Sequence, residues 1–114
     1  MNKPITTERP WGNFRQFTDN EKTTVKILTV NPGQELSLQY HKHREEFWRV
    51  ISGDPEVVIG DRTFKANVGD EFTVHTKELH RIGAGSAMAV ILEIASGDFN
   101  ENDIVRVKDK YGRV

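Results

Sequence analysis

Turn-forming residues cut this chain into apolar runs too short, and wrongly spaced, for helices. "TVKILTV" (24–30) stops at Asn31-Pro32-Gly33, and "FWRVI" (47–51) stops at Ser52-Gly53. "LSLQYHKH" (36–43) alternates strictly, with Leu36, Leu38 and Tyr40 on one side and Ser37, Gln39, His41 and His43 on the other. "EVVIGDRTF" (56–64) reads as a hairpin turning at Gly60-Asp61. "DEFTVH" (70–75) is entered through Gly69, "AMAVILEIA" (87–95) is apolar on both sides like a central strand, and "DIVRV" (103–107) makes a last short run. No stretch carries helical periodicity. Many short strands at this spacing imply an antiparallel sandwich or barrel.

The 114 residues suit one domain over 1–114, large enough to bury a core without covalent staples. Cysteine is absent, so the fold uses no disulfide, and a metal site would be built from His, Asp and Glu. The net charge is -1 with both signs mixed, which argues against a nucleic-acid partner. The start, "MNKPITTERP", lacks the apolar centre of a signal peptide and reads as an extended arm over residues 1–10. The longest apolar run, 87–95, is interrupted by Glu93 and is too short to span a bilayer. These features lead to the expectation of a soluble cytoplasmic protein with no membrane partner.

Among four histidines, two stand two apart, His41 and His43, followed by Arg44-Glu45-Glu46. On a strand, residues i and i+2 face the same way about 7 Å apart, so both imidazoles can reach one ion. The same spacing also occurs on solvated strands, and the pair alone leaves both readings open. Downstream, Gly53 follows Glu46, Gly69 opens a strand, and His80 comes after it.

This layout resembles the two motifs of the cupin superfamily: Gly33, His41, His43, Glu46 and Gly53, then Gly69 through His80. The resemblance implies an all-β, single-domain cupin β-barrel of jelly-roll type. It also implies one divalent metal ion (Zn, Mn, Fe, Co or Ni) held by His41, His43, Glu46 and His80. Where the second motif usually has Pro and Gly, this chain has His75 and Lys77. "RPWG" (9–12), "LSLQYHKHREEFW" (36–48), "HR" (80–81) and "SGDFNENDIVRVKDKYGR" (96–113) resemble the C-terminal cupin of bifunctional mannose-6-phosphate isomerase/mannose-1-phosphate guanylyltransferase. Members of that family often carry Glu-His-Trp where this chain has Glu46-Phe47-Trp48, and Gln where Ala95 stands. A guanylyltransferase needs a separate nucleotide-binding domain, which these 114 residues are not expected to hold, so GTP chemistry is not expected of them.

The resemblance implies an aldose–ketose isomerase acting on a phosphosugar, mannose 6-phosphate to fructose 6-phosphate. Two other classes stay open: an Fe(II)-dependent dioxygenase and a non-enzymatic sugar-binding or regulatory cupin. Glu93, a carboxylate within an apolar strand, is either the base facing the pocket or one half of a buried salt bridge with Lys26 or Arg106. Gln39 shares the face of His41 and either binds a sugar hydroxyl or satisfies a buried backbone group. Lys26 and Arg81 are the substrate-binding candidates for the phosphate, against solvated or surface-paired readings. His75 reads as a loop residue before a pocket imidazole. Trp11 is expected to anchor the arm and Trp48 to pack in the barrel. Tyr111 and Arg113 are expected to close over the pocket. Small cupins commonly pair through an exposed sheet edge, so a homodimer is expected.

Overall fold

The computed structural model describes residues 3–114. Met1 and Asn2, the first two residues of the expected arm, lie outside the described residues. The regular structure is all strand: β1 (Ile5–Arg9), β2 (Gly12–Gln16), β3 (Thr23–Val30), β4 (Leu38–Tyr40), β5 (Arg44–Ser52), β6 (Glu56–Ile59), β7 (Arg62–Lys65), β8 (Glu71–Val74), β9 (His80–Gly83), β10 (Ala89–Gly97) and β11 (Val105–Lys108). Among these residues no helix is long and apolar enough to cross a membrane.

Two antiparallel sheets carry the fold, one in the order β3-β10-β5-β8 and one in the order β11-β4-β9-β6-β7. Apart from the β6–β7 hairpin, neighbours in each order are not consecutive in sequence, as in a jelly roll. Strand alternation sets what lies between the sheets. Along β5 the inward row is Arg44, Glu46, Trp48 and Val50, all buried. Along β10, which runs the other way, the row is Ala95, Glu93, Ile91 and Ala89. From the second sheet come Val57, Ile59, His80 and Ile82. Polar groups thus gather at one end of the inner rows of β5 and β9, with Glu93 of β10 beside them, and apolar groups fill the other end. Trp48, Val50, Val57, Ile59, Val74, Ile82, Ala89 and Ile91 pack into one core cluster. Full burial of an aliphatic side chain of this size contributes about 1.5–3 kcal/mol, so this apolar half supports the polar half beside it.

The Gly60-Asp61 turn joins β6 to β7 as the sequence implies. Gly53 has no room for a side chain: a Cβ there would lie 2.5 Å from the Met88 carbonyl oxygen. The amino-terminal residues correct one expectation. Rather than a lone extended arm, β1 and β2 form their own two-stranded hairpin, and Trp11 at its turn is 73% exposed, so it anchors nothing. Trp48, 1% exposed, packs in the barrel as expected.

Lys77 stands where the second motif usually has glycine, and its φ is +65°. A side chain in the left-handed region is disfavoured, by roughly 1 kcal/mol relative to glycine. The backbone is held there because the Lys77 amide donates to the His41 carbonyl at 2.7 Å. Lys77→Gly keeps that donor and relieves the strain. It is expected to raise stability by up to about 1 kcal/mol in urea unfolding. A loss of stability in that variant would mean that the Lys77 side chain contributes more than its backbone strain costs.

Candidate functional site

Glu46 lies at the centre of the polar end and is 2% exposed. A carboxylate so buried is retained only if its oxygens are paired. Its Oε2 accepts from Arg44 Nε at 3.0 Å and lies 3.3 Å from His41 Nε2. Its Oε1 accepts from Trp48 Nε1 at 3.2 Å and lies 3.7 Å from His80 Nε2. Glu93 adds a further hydrogen bond to it. Arg44, Glu46 and Trp48 share the inner row of one strand, while β10 brings Glu93 opposite Trp48 and Ala95 opposite Glu46.

The backbone fixes the tautomers of both buried histidines. His41 Nδ1 lies 2.6 Å from the Asp103 carbonyl and His80 Nδ1 lies 2.8 Å from the Glu78 carbonyl. A carbonyl only accepts, so each Nδ1 carries the proton and each Nε2 presents a lone pair. The two rings stand 4.9 Å apart. His80 Nε2 is buried and has no hydrogen-bond partner among the described residues. The ligating atoms of His41, Glu46 and His80 all lie within 4.8 Å of one another. Two imidazole lone pairs, one of them unused, and one carboxylate form a donor set that fits a divalent ion, and the carbonyls behind the rings orient them as metal-binding histidines are oriented. One side chain competes. The Arg44 guanidinium, besides its bond to Glu46, lies 3.2 Å from His41 Nε2, so a bound ion would displace it from two ligand atoms. It has other contacts to fall back on, the Asn100 carbonyl at 3.2 Å and the Phe99 ring at 4.5 Å.

The structure does not bring His43 to this cluster. β4 ends at Tyr40, and residues 41–43 form a bend, so the two-residue spacing does not keep His41 and His43 on one face. His43 is exposed, beside Asp98, Asn100, Asn102 and Asp103. The bend is held by Asp103, whose carboxylate accepts from the Lys42 and His43 amides at 2.9 Å each. As a result Arg44, not His43, enters the inner row. Neither residue's place could be read from the alternation, because a bend resets the phase of the strand that follows.

Gln39, Lys26 and Glu93 do line one small cavity of about 140 Å³, together with Arg44, Glu46, Trp48, Glu101 and Arg106. Gln39 sits opposite His80 and 3.4 Å from His41 Nε2. Lys26 pairs with Glu101 at 2.6 Å. Arg81 does not join them. It alternates outward between the buried His80 and Ile82, and its nearest carboxylate is Glu35 at 3.9 Å. His75 is an exposed loop residue 3.1 Å from Glu45, in line with the plain reading. Tyr111 and Arg113 do not close over the cavity. They line a separate cleft of about 530 Å³ and are tied to Gln34 and Asp109. Phe47 points away from the site against Phe17, so its departure from the family pattern leaves the pocket untouched. Ala95 lies beside Glu46, so that departure does bear on the site.

The family model for mannose-6-phosphate isomerase C-terminal domains matches residues 2–109. The alginate biosynthesis protein AlgA of Pseudomonas aeruginosa is 38% identical over 107 residues, covering 92% of this chain and 22% of that protein. Mannose-1-phosphate guanylyltransferase 2 of Escherichia coli O157:H7 is 35% identical over 105 residues, covering 90% and 22%. The chain therefore spans less than a quarter of the length of these curated relatives. Among solved structures, a Klebsiella pneumoniae protein with a double-stranded β-helix domain superposes with a TM-score of 0.67 at 18% identity, covering 93% of this chain and 85% of that one. A cupin protein of Bacteroides fragilis gives 0.61 at 20% identity, covering 71% and 74%. These likenesses establish the fold as a cupin, the double-stranded β-helix expected from the sequence.

Burial lowers the proton affinity of His41 and His80 below the ordinary 6.5, outweighing the pull of Glu46, so both rings are neutral near pH 7. Burial also opposes the charge on Glu46, but the bond from Glu93, the neighbouring histidines and Arg44 hold it below the usual carboxylate range. Glu93 goes the other way: burial first, then its bond to Glu46 and that residue's charge, push it up to about 8. These directions have opposite consequences for stability. In metal-free protein Glu93 keeps a proton that the unfolded chain releases above about 4.5, so its contribution is lost as pH rises through about 8. The histidines refuse a proton that the unfolded chain takes below 6.5, so their contribution is lost as pH falls. Thermal melts in chelator should therefore show a fall in melting temperature from pH 6.5 to above 8, and Glu93→Gln should flatten it. An equal alkaline fall in that variant would place the titrating group elsewhere.

Proposed function

The chain belongs to the family of mannose-6-phosphate isomerase C-terminal domains, and on that premise we propose that it interconverts mannose 6-phosphate and fructose 6-phosphate as a metal-assisted aldose–ketose isomerase. The observation that carries this reading is the cluster of His41, Glu46 and His80, whose Glu46 also lines a cavity shared with a second buried carboxyl, Glu93, and with the cations Lys26, Arg44 and Arg106. His41, Glu46 and His80 are the residues that would hold a divalent ion. Such an ion supplies charge stabilisation for sugar oxygens that become negative during the reaction.

The chain's own residues account for the remaining requirements. In the open-chain sugar the C2–H bond breaks, its electrons form the C1–C2 double bond and those of the C1=O bond move onto O1, giving an enediolate; a proton is then returned to C1, and the O2 hydroxyl proton passes to O1 as the C2=O bond forms. Glu93, as carboxylate, accepts the C2 proton and as carboxylic acid delivers it to C1. Glu93 is buried opposite Trp48, which lines the same cavity. The Gln39 amide is positioned to bind a sugar hydroxyl, its own carbonyl already accepting from Ser37 Oγ at 2.5 Å. The donor set of two histidines and one carboxylate is also the set used by Fe(II) oxygenases, which favours a dioxygenase as the second reading. The charged lining of the cavity suits an anionic substrate better than the apolar substrates such enzymes usually take.

In a coupled assay, Glu93→Gln is expected to lower turnover by roughly 10²–10⁴, with metal content and mannose 6-phosphate binding kept near wild type. His80→Ala should lower metal content and turnover together. Unchanged turnover in Glu93→Gln removes Glu93 from the mechanism. Wild-type protein that turns over no hexose phosphate after loading with Zn, Mn, Fe, Co or Ni abandons the isomerase for a binding module. Oxygen uptake by the Fe(II)-loaded protein selects the dioxygenase.

A further inference from the structure

Three cations line the cavity, and they differ in how they are satisfied. Arg44 is committed to Glu46 and to the Asn100 carbonyl. Lys26 holds Glu101, whose side chain is 72% exposed at the rim, so that partner is readily exchanged for a ligand. Arg106 has neither: among the described residues its guanidinium makes no hydrogen bond or ion pair, and its Nε is buried without a partner. The register explains how it comes to face the cavity. On β11 Arg106 lies opposite Gln39 of β4, and Gln39 lies opposite His80 of β9, so the three form one inner row. A buried guanidinium N–H without an acceptor is unfavourable, and a planar cation of this kind matches the oxygens of a phosphoryl group.

We propose that Arg106, with Lys26 lining the same cavity, is the phosphate-recognition subsite of this cavity. This rests on reading the cavity as a hexose-phosphate site, but it concerns binding and not turnover. The row Arg106–Gln39–His80 then orders the ligand: phosphate at Arg106, a hydroxyl at Gln39, and the reacting end at the histidines and Glu93. Arg81, the sequence's own candidate for this role, faces the other side of β9 and serves as a control.

The test is calorimetric titration of the full chain with mannose 6-phosphate, mannose and inorganic phosphate. Wild type should bind mannose 6-phosphate at least roughly tenfold more tightly than mannose. Arg106→Met should weaken mannose 6-phosphate and inorganic phosphate by roughly 10–100-fold and leave mannose within twofold. Arg106→Lys, which keeps the charge, should recover part of the loss, and Arg81→Ala should bind as wild type. Melting curves identify variants that fail to fold, and Arg106→Lys carries the comparison if Arg106→Met is one of them. Equal losses for phosphorylated and free sugar, or no loss for either, overturn the proposal. So does a wild type that does not distinguish mannose 6-phosphate from mannose. Arg106-dependent binding without turnover sinks the isomerase reading and leaves this subsite standing. Turnover whose KM ignores Arg106→Met does the reverse.

Discussion

The ionised carboxylate of Glu46 is the constraint around which this end of the protein is organised. Buried in a sandwich interior, it is tolerable only because Trp48 and Arg44 donate to its oxygens, Glu93 hydrogen-bonds it, and two histidines face it. Removing a buried charge from water costs several kcal/mol even after relaxation, and the interactions that offset this must come from several strands at once. Glu46 therefore fixes where β5, β9 and β10 place their polar residues.

That requirement divides the sandwich into two halves with different tasks. The apolar half, around Val50, Val57, Ile82 and Ile91, supplies the burial that makes the fold stable. The polar half borrows that rigidity to hold groups that would otherwise separate. Trp48 sits at the boundary, its ring in the core and its Nε1–H on Glu46. The loop from Asp98 to Ile104 completes the arrangement from outside. Its Asp103 orients His41 through a carbonyl and pins the 41–43 bend through a carboxylate.

A further consequence is a division of labour among like groups. The two carboxyls differ because donors offset the burial of Glu46, whereas for Glu93 burial comes first and its bond to Glu46 and that residue's charge add to it, so Glu46 is ionised while Glu93 binds its proton more tightly. The arginines divide similarly: Arg44 compensates Glu46, whereas Arg106 keeps its hydrogen-bonding capacity for something else. Arg44 also sets the terms for a metal, because it contacts two of the atoms that a metal would use.

Much of this was legible in the chain. Turn residues and alternation were enough for the strands, since both are local consequences of backbone geometry. The resemblance to the cupin motifs put forward Glu46, His41 and His80, which the fold brings together, and a carboxylate inside an apolar run drew attention to Glu93, because such a group is costly to bury unless paired. Gln39 followed from sharing a strand face with His41, whereas Lys26 stood only as a phosphate candidate against a solvated reading. What the sequence could not decide was phase after an irregularity and proximity between distant segments. The bend at 41–43 turned His43 to solvent and Arg44 inward, and its cause, the Asp103 carboxylate, lies sixty residues away. Arg106 and Arg81 look alike as isolated cations near motif residues. Only the pairing of β11 with β4, and the outward phase of Arg81 on β9, sends the first into the cavity and the second out of it. Local sequence governs which residues alternate, but the contacts that set the phase and bring the rows together are long-range, and these the tertiary structure alone supplies.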